Sequence, residues 1–176
     1  DGAYEPKLNE WLSGESLEYV RVERTILDSA FLSGANLKGA ELQHASMKGA
    51  ILNFANLEGA FLWGADLSGT TCTGADMRDT ELREVDLSGA RFERVRLGGA
   101  DLRDARMIDT RLSGTLLETE RLSGIQWSDN FVVPEETDGE MESAVRIYRS
   151  LVRSHENAGE RHMAGEFHFR EGASRR

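Results

Sequence analysis

Residues 33–69 read SGANLKGAELQHASMKGAILNFANLEGAFLWGADLSG, and the line restarts every five residues. With the large apolar residue of each restart taken as position i, the series runs from Leu17 through Leu37, Leu57, Cys72 and Phe92 to Trp127. It never loses register over 23 consecutive pentapeptides. Position i−2 is small: Ala35, Ala40, Ala45, Ala50, Ala55, Ala60 and Ala65 in the quoted stretch, and Thr or Val at most other places. Position i+2 is often glycine, as at Gly34, Gly39, Gly49 and Gly59. Two positions in five are therefore apolar and three are polar.

Neither regular period accounts for this. A helix of 3.6 residues per turn would spread a five-residue repeat around its whole surface, and a strand would show period two. A sharp turn every five residues does account for it. If each pentapeptide is one side of a square coil, positions i and i−2 point inward on every side, and the coils stack through backbone hydrogen bonds along the axis. Leucine then sits on leucine from coil to coil, the small i−2 residue leaves room for it, and i+2 falls at the corner, where a residue without Cβ turns most freely.

The units Ala35-Asn36-Leu37, Ala55-Asn56-Leu57, Ala65-Asp66-Leu67 and Ala100-Asp101-Leu102 resemble the A(D/N)LxG consensus of the pentapeptide-repeat family. The resemblance covers about two thirds of the chain and implies an all-β solenoid, a right-handed parallel quadrilateral β-helix with four pentapeptides per coil. The 23 repeats then make five to six coils. At roughly 4.8 Å per stacked coil the rod is about 26 Å long.

A stacked β-rod exposes unpaired backbone at both ends, so both ends are expected to be covered. Trp11 and Leu12 nearly fit the register, but Glu10 and Glu15 fall at i−2, where a buried carboxylate is costly, so the first coil is expected to start between Ser16 and Thr25. Residues 1–14 are the expected N-terminal cap and 15–127 the β-helix, with 128–139 a linker. Beyond it, Met141, Ala144, Val145, Tyr148, Leu151, Val152 and His155 recur at spacings of three and four, which predicts an amphipathic helix ended by Gly159. A second helix is predicted over Arg161 to Glu171, and Met163, Phe167, Phe169 and Tyr148 are expected to pack this C-terminal α-helical hairpin (140–176) on the last coil as a cap. Tyr148, Leu151, Gly165, Glu166, Phe167, Phe169 and Arg170 also resemble the helical pair that follows pentapeptide arrays in some bacterial membrane proteins.

A net charge of −10 opposes contact with nucleic acid phosphates. No run of 18 apolar residues is present and DGAYEPKLNE lacks the features of a signal peptide, so no membrane insertion is expected. The single cysteine, Cys72, agrees with a reducing compartment, and a cytoplasmic protein is expected. Cys72 occupies an inward position and reads as core, not as a nucleophile. His155, His162 and His168 stand among Glu156, Glu160 and Glu166, but their spacing fits no standard zinc pattern. The Asp and Glu of positions i−1 and i+1 face solvent with no cleft to desolvate them, so neither an enzyme nor a bound metal or cofactor is expected.

Large apolar residues at outward positions carry more information. Phe31 and Ile51, 20 residues apart, are expected to stack on one face with Phe54 at its corner, while Phe61 and Trp63 lie together on the opposite face. Outward aromatics on a rod suit a partner protein or a second copy of the chain, a homodimer, as well as coverage by a segment of the chain itself. Arg91 and Arg111 continue the Phe31 face, with Arg94 and Arg96 near its corner, where pairing with Glu93 and neighbouring acids is expected. The leading functional expectation is a non-catalytic scaffold for protein–protein interaction, in one version the soluble cytoplasmic part of a larger membrane protein, with Arg170, Arg175 and Arg176 as a basic flank. The alternative is a DNA mimic. Quinolone-resistance members of the family resemble a duplex and engage type II topoisomerases; the acidic total here fits that reading, and the arginines that interrupt the acidic columns do not.

Overall fold

The computed structural model describes residues 12–115, 117, 121–128 and 131–174. Residues 1–11, with Trp11, Glu10 and most of the expected N-terminal cap, lie outside the described residues, as do Glu120, Arg175 and Arg176.

From Gly14 onward the backbone closes a coil every 20 residues through parallel bridges such as Ser16↔Asn36, Phe31↔Ile51 and Arg91↔Arg111. Along the rod the inward leucines donate their amides to the coil ahead, as in Leu32 to Ile51 (2.8 Å) and Leu52 to Thr71 (2.7 Å). The residue before it donates back, as in Ile51 to Ala30 (2.9 Å), and a bond such as Ala35 to Leu32 (3.0 Å) closes each corner turn. Corner residues hold a left-handed backbone whether or not they are glycine: φ is +68° at Gly34 and +59° at Phe54. The last inter-coil pair is β1 (Arg106–Met107) alongside β2 (Gln126–Trp127), in parallel register.

The inward stacks are buried as the pattern requires, with Leu32, Leu52, Cys72 and Phe92 in one column at 0% exposure. Burying a leucine stabilises by about 1.5–3 kcal/mol, so this core dominates the fold. Where i−2 is a buried threonine, the hydroxyl is bonded to a backbone carbonyl, as at Thr70 to Leu67 (2.8 Å) and Thr80 to Met77 (2.7 Å), which removes the cost of burying it. Pairing starts earlier than the sequence suggests: the Gly14 amide donates to Ser33 at 2.9 Å, because Glu15 at the first i−2 position is exposed at the rod's end and not buried.

Outside, charges of opposite sign alternate along the axis. Lys38 meets Glu58 at 2.9 Å, Glu58 meets Arg78 at 3.0 Å, Arg78 meets Asp76 at 2.6 Å and Asp76 meets Arg96 at 2.9 Å. Exposed pairs contribute little each, but the three of these that join residues one coil apart disfavour a slipped register. Asp101 departs from the expected solvent-facing position. It is buried beneath Arg103, whose hydrogen bonds hold its carboxyl below the usual range against the opposing effect of burial.

After β2 come α1 (Pro134–Thr137), α2 (Met141–Asn157) and α3 (Arg161–Ser174). The short α1 falls inside the expected linker, and its signal is Pro134 at the first helical position followed by Glu135 and Glu136. The tail supplies side chains where a further coil would supply backbone. One coil earlier the Phe92 amide donates to the Arg111 carbonyl at 2.8 Å; the Leu112 amide instead donates to Oε1 of Glu135 at 2.8 Å, joined by the Ser113 amide at 2.9 Å. Glu135 is fully buried. Likewise the Leu117 amide donates to the Ser150 hydroxyl (3.2 Å), and the Ser154 hydroxyl donates to the Leu117 carbonyl.

The seam is aromatic. Phe167 of α3 lies edge-on to Trp127 (5.3 Å between centroids) and Phe131 (5.7 Å), and stacks with His155 (5.4 Å) and Tyr148 (6.3 Å). Phe169, expected in this packing, is 72% exposed instead. Two residues along a helix is a rotation of about 200°, so burying Phe167 turns Phe169 outward.

Candidate functional site

Each side of the coil shows solvent three residues in five, and one side differs from the rest in chemistry. Three successive strips of it, 30–34 (AFLSG), 50–54 (AILNF) and 70–74 (TTCTG), contain no Asp, Glu, Lys or Arg in a chain that is 30% charged. Phe31 is 48% exposed, and bridges place half-buried Ile51 and Thr71 in line with it. Phe54, at the corner, is 71% exposed. Beneath the strip Cys72 is fully buried; burial pushes its thiol up to about 12, a bond with the Thr70 hydroxyl offsetting part of that. A thiol so placed is not a nucleophile near neutral pH.

Further along the same side the arginines are engaged. Arg91 pairs with Glu93 at 2.9 Å and Arg111 with Asp138 of the tail, Glu140 standing 3.8 Å away, while Arg96, in line with Asp76 on the adjoining side, pairs with Asp76. Arg94 lays its aliphatic stem over Gly114.

On the opposite side, Phe61 and Trp63 are both partly exposed, with Glu41 and Glu81 bridged to either flank of Phe61. The ring partner of Trp63 is His44, edge-on at 4.6 Å, which the sequence pattern did not single out. Tyr19 and Ile26 were also missed, and both are well exposed on the first coils. Their signal was present: Ile26 holds the same outward position as Ile51, and Tyr19 and His44 occupy corners, where any side chain points away from the core.

Carboxylates near a sizeable cleft are committed. The cleft, about 520 Å³ between the last coil and the tail, is lined in part by Asp109, Arg111, Ser128 and Asp138. Asp109 accepts the Ser128 hydroxyl at 2.9 Å and Asp138 pairs with Arg111. Of the C-terminal histidines, His155 is buried with Nδ1 2.7 Å from Glu160, His168 lies 3.6 Å from Glu171, and His162 is exposed.

The profile of pentapeptide repeats (8 copies) matches residues 16–53, 52–83 and 80–118, more than half of the chain. The chain belongs to the pentapeptide-repeat family. Its 20-residue coil is thus the right-handed β-helical solenoid of that family. Solved pentapeptide-repeat structures are similar to it. HetL, involved in heterocyst differentiation regulation in Nostoc sp. strain PCC 7120, is 26% identical over 57% of this chain and 47% of its own, TM-score 0.34. The chain thus spans about half the length of HetL. Rfr23 from Cyanothece 51142 is 28% identical over 71% of this chain and 90% of its own, TM-score 0.31. QnrB1, a plasmid-mediated fluoroquinolone resistance protein, is 18% identical over 69% and 86%, TM-score 0.28. With scores this low, membership rests on the repeat match alone. No match is found among curated protein sequences. Among the described residues no helix is long and apolar enough to cross a membrane.

Proposed function

We propose that this pentapeptide-repeat protein is a non-catalytic protein-interaction scaffold: a rod of five to six coils, closed at one end by the helical hairpin, that docks another protein on its Phe31 side. The observation that carries this is the run of three uncharged strips with Phe31 and Phe54 exposed upon it. A surface free of charge can be desolvated without stranding an ion, and exposed aromatics supply the area that anchors an interface. The inward positions are committed to core, which leaves the outer faces to carry recognition.

The DNA-mimic reading is less well supported. Asp76, Asp86 and Asp101 each have an arginine partner within 3.4 Å, so the acidic columns are locally neutralised and do not form a continuous anionic stripe.

The test is light scattering of the wild-type chain beside Phe31→Ser/Ile51→Ser and Phe61→Ser/Trp63→Ser, with folding checked by circular dichroism, followed by capture from the native lysate with the same three proteins. The scaffold reading expects the first pair alone to lose a self-association or a captured protein. It fails if the folded Phe31→Ser/Ile51→Ser protein keeps the same mass and the same captured set.

A further inference from the structure

The seam between the last coil and the helical hairpin contains a titratable group in an arrangement that packing alone does not require. His155 of α2 is 1% exposed. Its ring is stacked on Phe167 of α3 and edge-on to Trp127 of β2 at 6.1 Å, and its Nδ1 is 2.7 Å from Oε2 of Glu160 in the turn between the helices. Among the described residues, Glu160 is the charged group that acts on the ring. A neutral imidazole fits, with Nδ1–H donating to Glu160 and Nε2 bare. Nε2 is buried and has no partner among the described residues, and neither has the buried Nε1–H of Trp127.

We propose that His155 is a protonation latch: neutral, it holds the α2–α3 hairpin on the last coil; protonated, it releases the hairpin and uncovers the backbone edge of that coil. A proton on Nε2 creates a second buried donor without an acceptor and puts a full charge between Phe167 and Trp127. Glu160 attracts that charge on one side, but burial outweighs it, so the ring titrates below its ordinary value. The edge then uncovered includes the Leu117 amide and carbonyl, which α2 holds through Ser150 and Ser154. An unpaired edge of this kind accepts a strand from elsewhere. The inference is independent of the docking reading, since it concerns the opposite end of the molecule from Phe31.

The sign follows from linkage. A ring held neutral in the docked state and free to titrate near 6.5 once released makes docking strongest above about pH 6.5 and weaker as pH falls from there toward the lowered docked value. Hydrogen exchange of the full chain, read by mass spectrometry at pH 7.5 and 5.0 and corrected for the intrinsic rate, tests it. Protection of α2 and α3 is expected to fall severalfold relative to residues 30–107, with a ceiling of about thirtyfold set by a free-ring pKa near 6.5. His155→Phe, which keeps the stack and cannot ionise, is expected to abolish the fall, and His155→Gln serves if the Phe variant does not fold. The proposal is overturned if wild-type tail and coils lose protection in parallel, or if the neutral variant responds to acid as the wild type does.

Discussion

Glycine stands at the corners of this solenoid for two reasons that can be separated at Gly59 and Gly74. Both have a left-handed backbone, φ +65° and +68°. A Cβ on Gly59 would meet nothing within 4 Å, whereas a Cβ on Gly74 would lie 2.8 Å from the ring of Phe54, which leans over it from the coil before. Tyr19 over Gly39 and His44 over Gly64 repeat the arrangement. It is a tendency and not a rule, since His44 itself follows Arg24 at the same corner one coil on. Gly59→Ala is therefore expected to cost only the left-handed strain, about 1–2 kcal/mol, and Gly74→Ala that amount plus the displacement of an aromatic ring. In urea denaturation, adding Phe54→Ala to Gly74→Ala should bring its loss back toward that of Gly59→Ala. Equal losses for the two single variants would show that the overlying ring is irrelevant.

At the scale of the element, the end of the β-helix is held by Glu135 in place of a missing carbonyl. Glu135→Ala strands the buried Leu112 amide and the half-buried Ser113 amide, and a buried amide left unsatisfied costs about 1–3 kcal/mol. Glu135→Gln keeps a carbonyl oxygen and should lose distinctly less; exchange rates at those two amides, alongside overall stability, separate this from a general loosening. Similar losses for both substitutions would mean that the carboxylate matters for its charge and not as an acceptor. This capping role was not legible in the sequence. Glu135 after Pro134 reads as an ordinary first turn of a helix, and only the docking of α1 on the last coil turns its side chain into a backbone substitute. The register of the coils was legible from Leu17 to Trp127, because a corner every five residues sends each i and i−2 side chain inward whatever its neighbours are. The outward residues obey no such constraint, which is why Phe31 and Ile51 could be aligned by a spacing of 20 while the contact of Trp63 with His44, set by side-chain rotation, could not.

For the molecule as a whole, acid should act twice, at different places. In a solenoid each coil touches only its neighbours, so stability is close to a sum of local terms, and loss of the tail need not take the rod with it. In the rod the relevant groups are carboxylates. Asp76 and Asp101 are held below the usual range first by hydrogen bonds from Arg78 and Arg103. At Asp66 burial works the other way, and bonds from Ser68 and Lys48 outweigh it. Carboxylates with lowered values stabilise fully above about pH 4, and that stability is lost as pH falls through the lowered values. His155 has its window higher, from about pH 6.5 downward. A titration followed by hydrogen exchange is thus expected to show α2 and α3 yielding first and the coils holding until well below pH 4. His155→Phe should merge the two steps toward the lower one without moving the rod's own transition. A single transition of tail and coils in the wild type would mean that the hairpin is as much a part of the cooperative unit as any coil, and that the local picture of its stability is wrong.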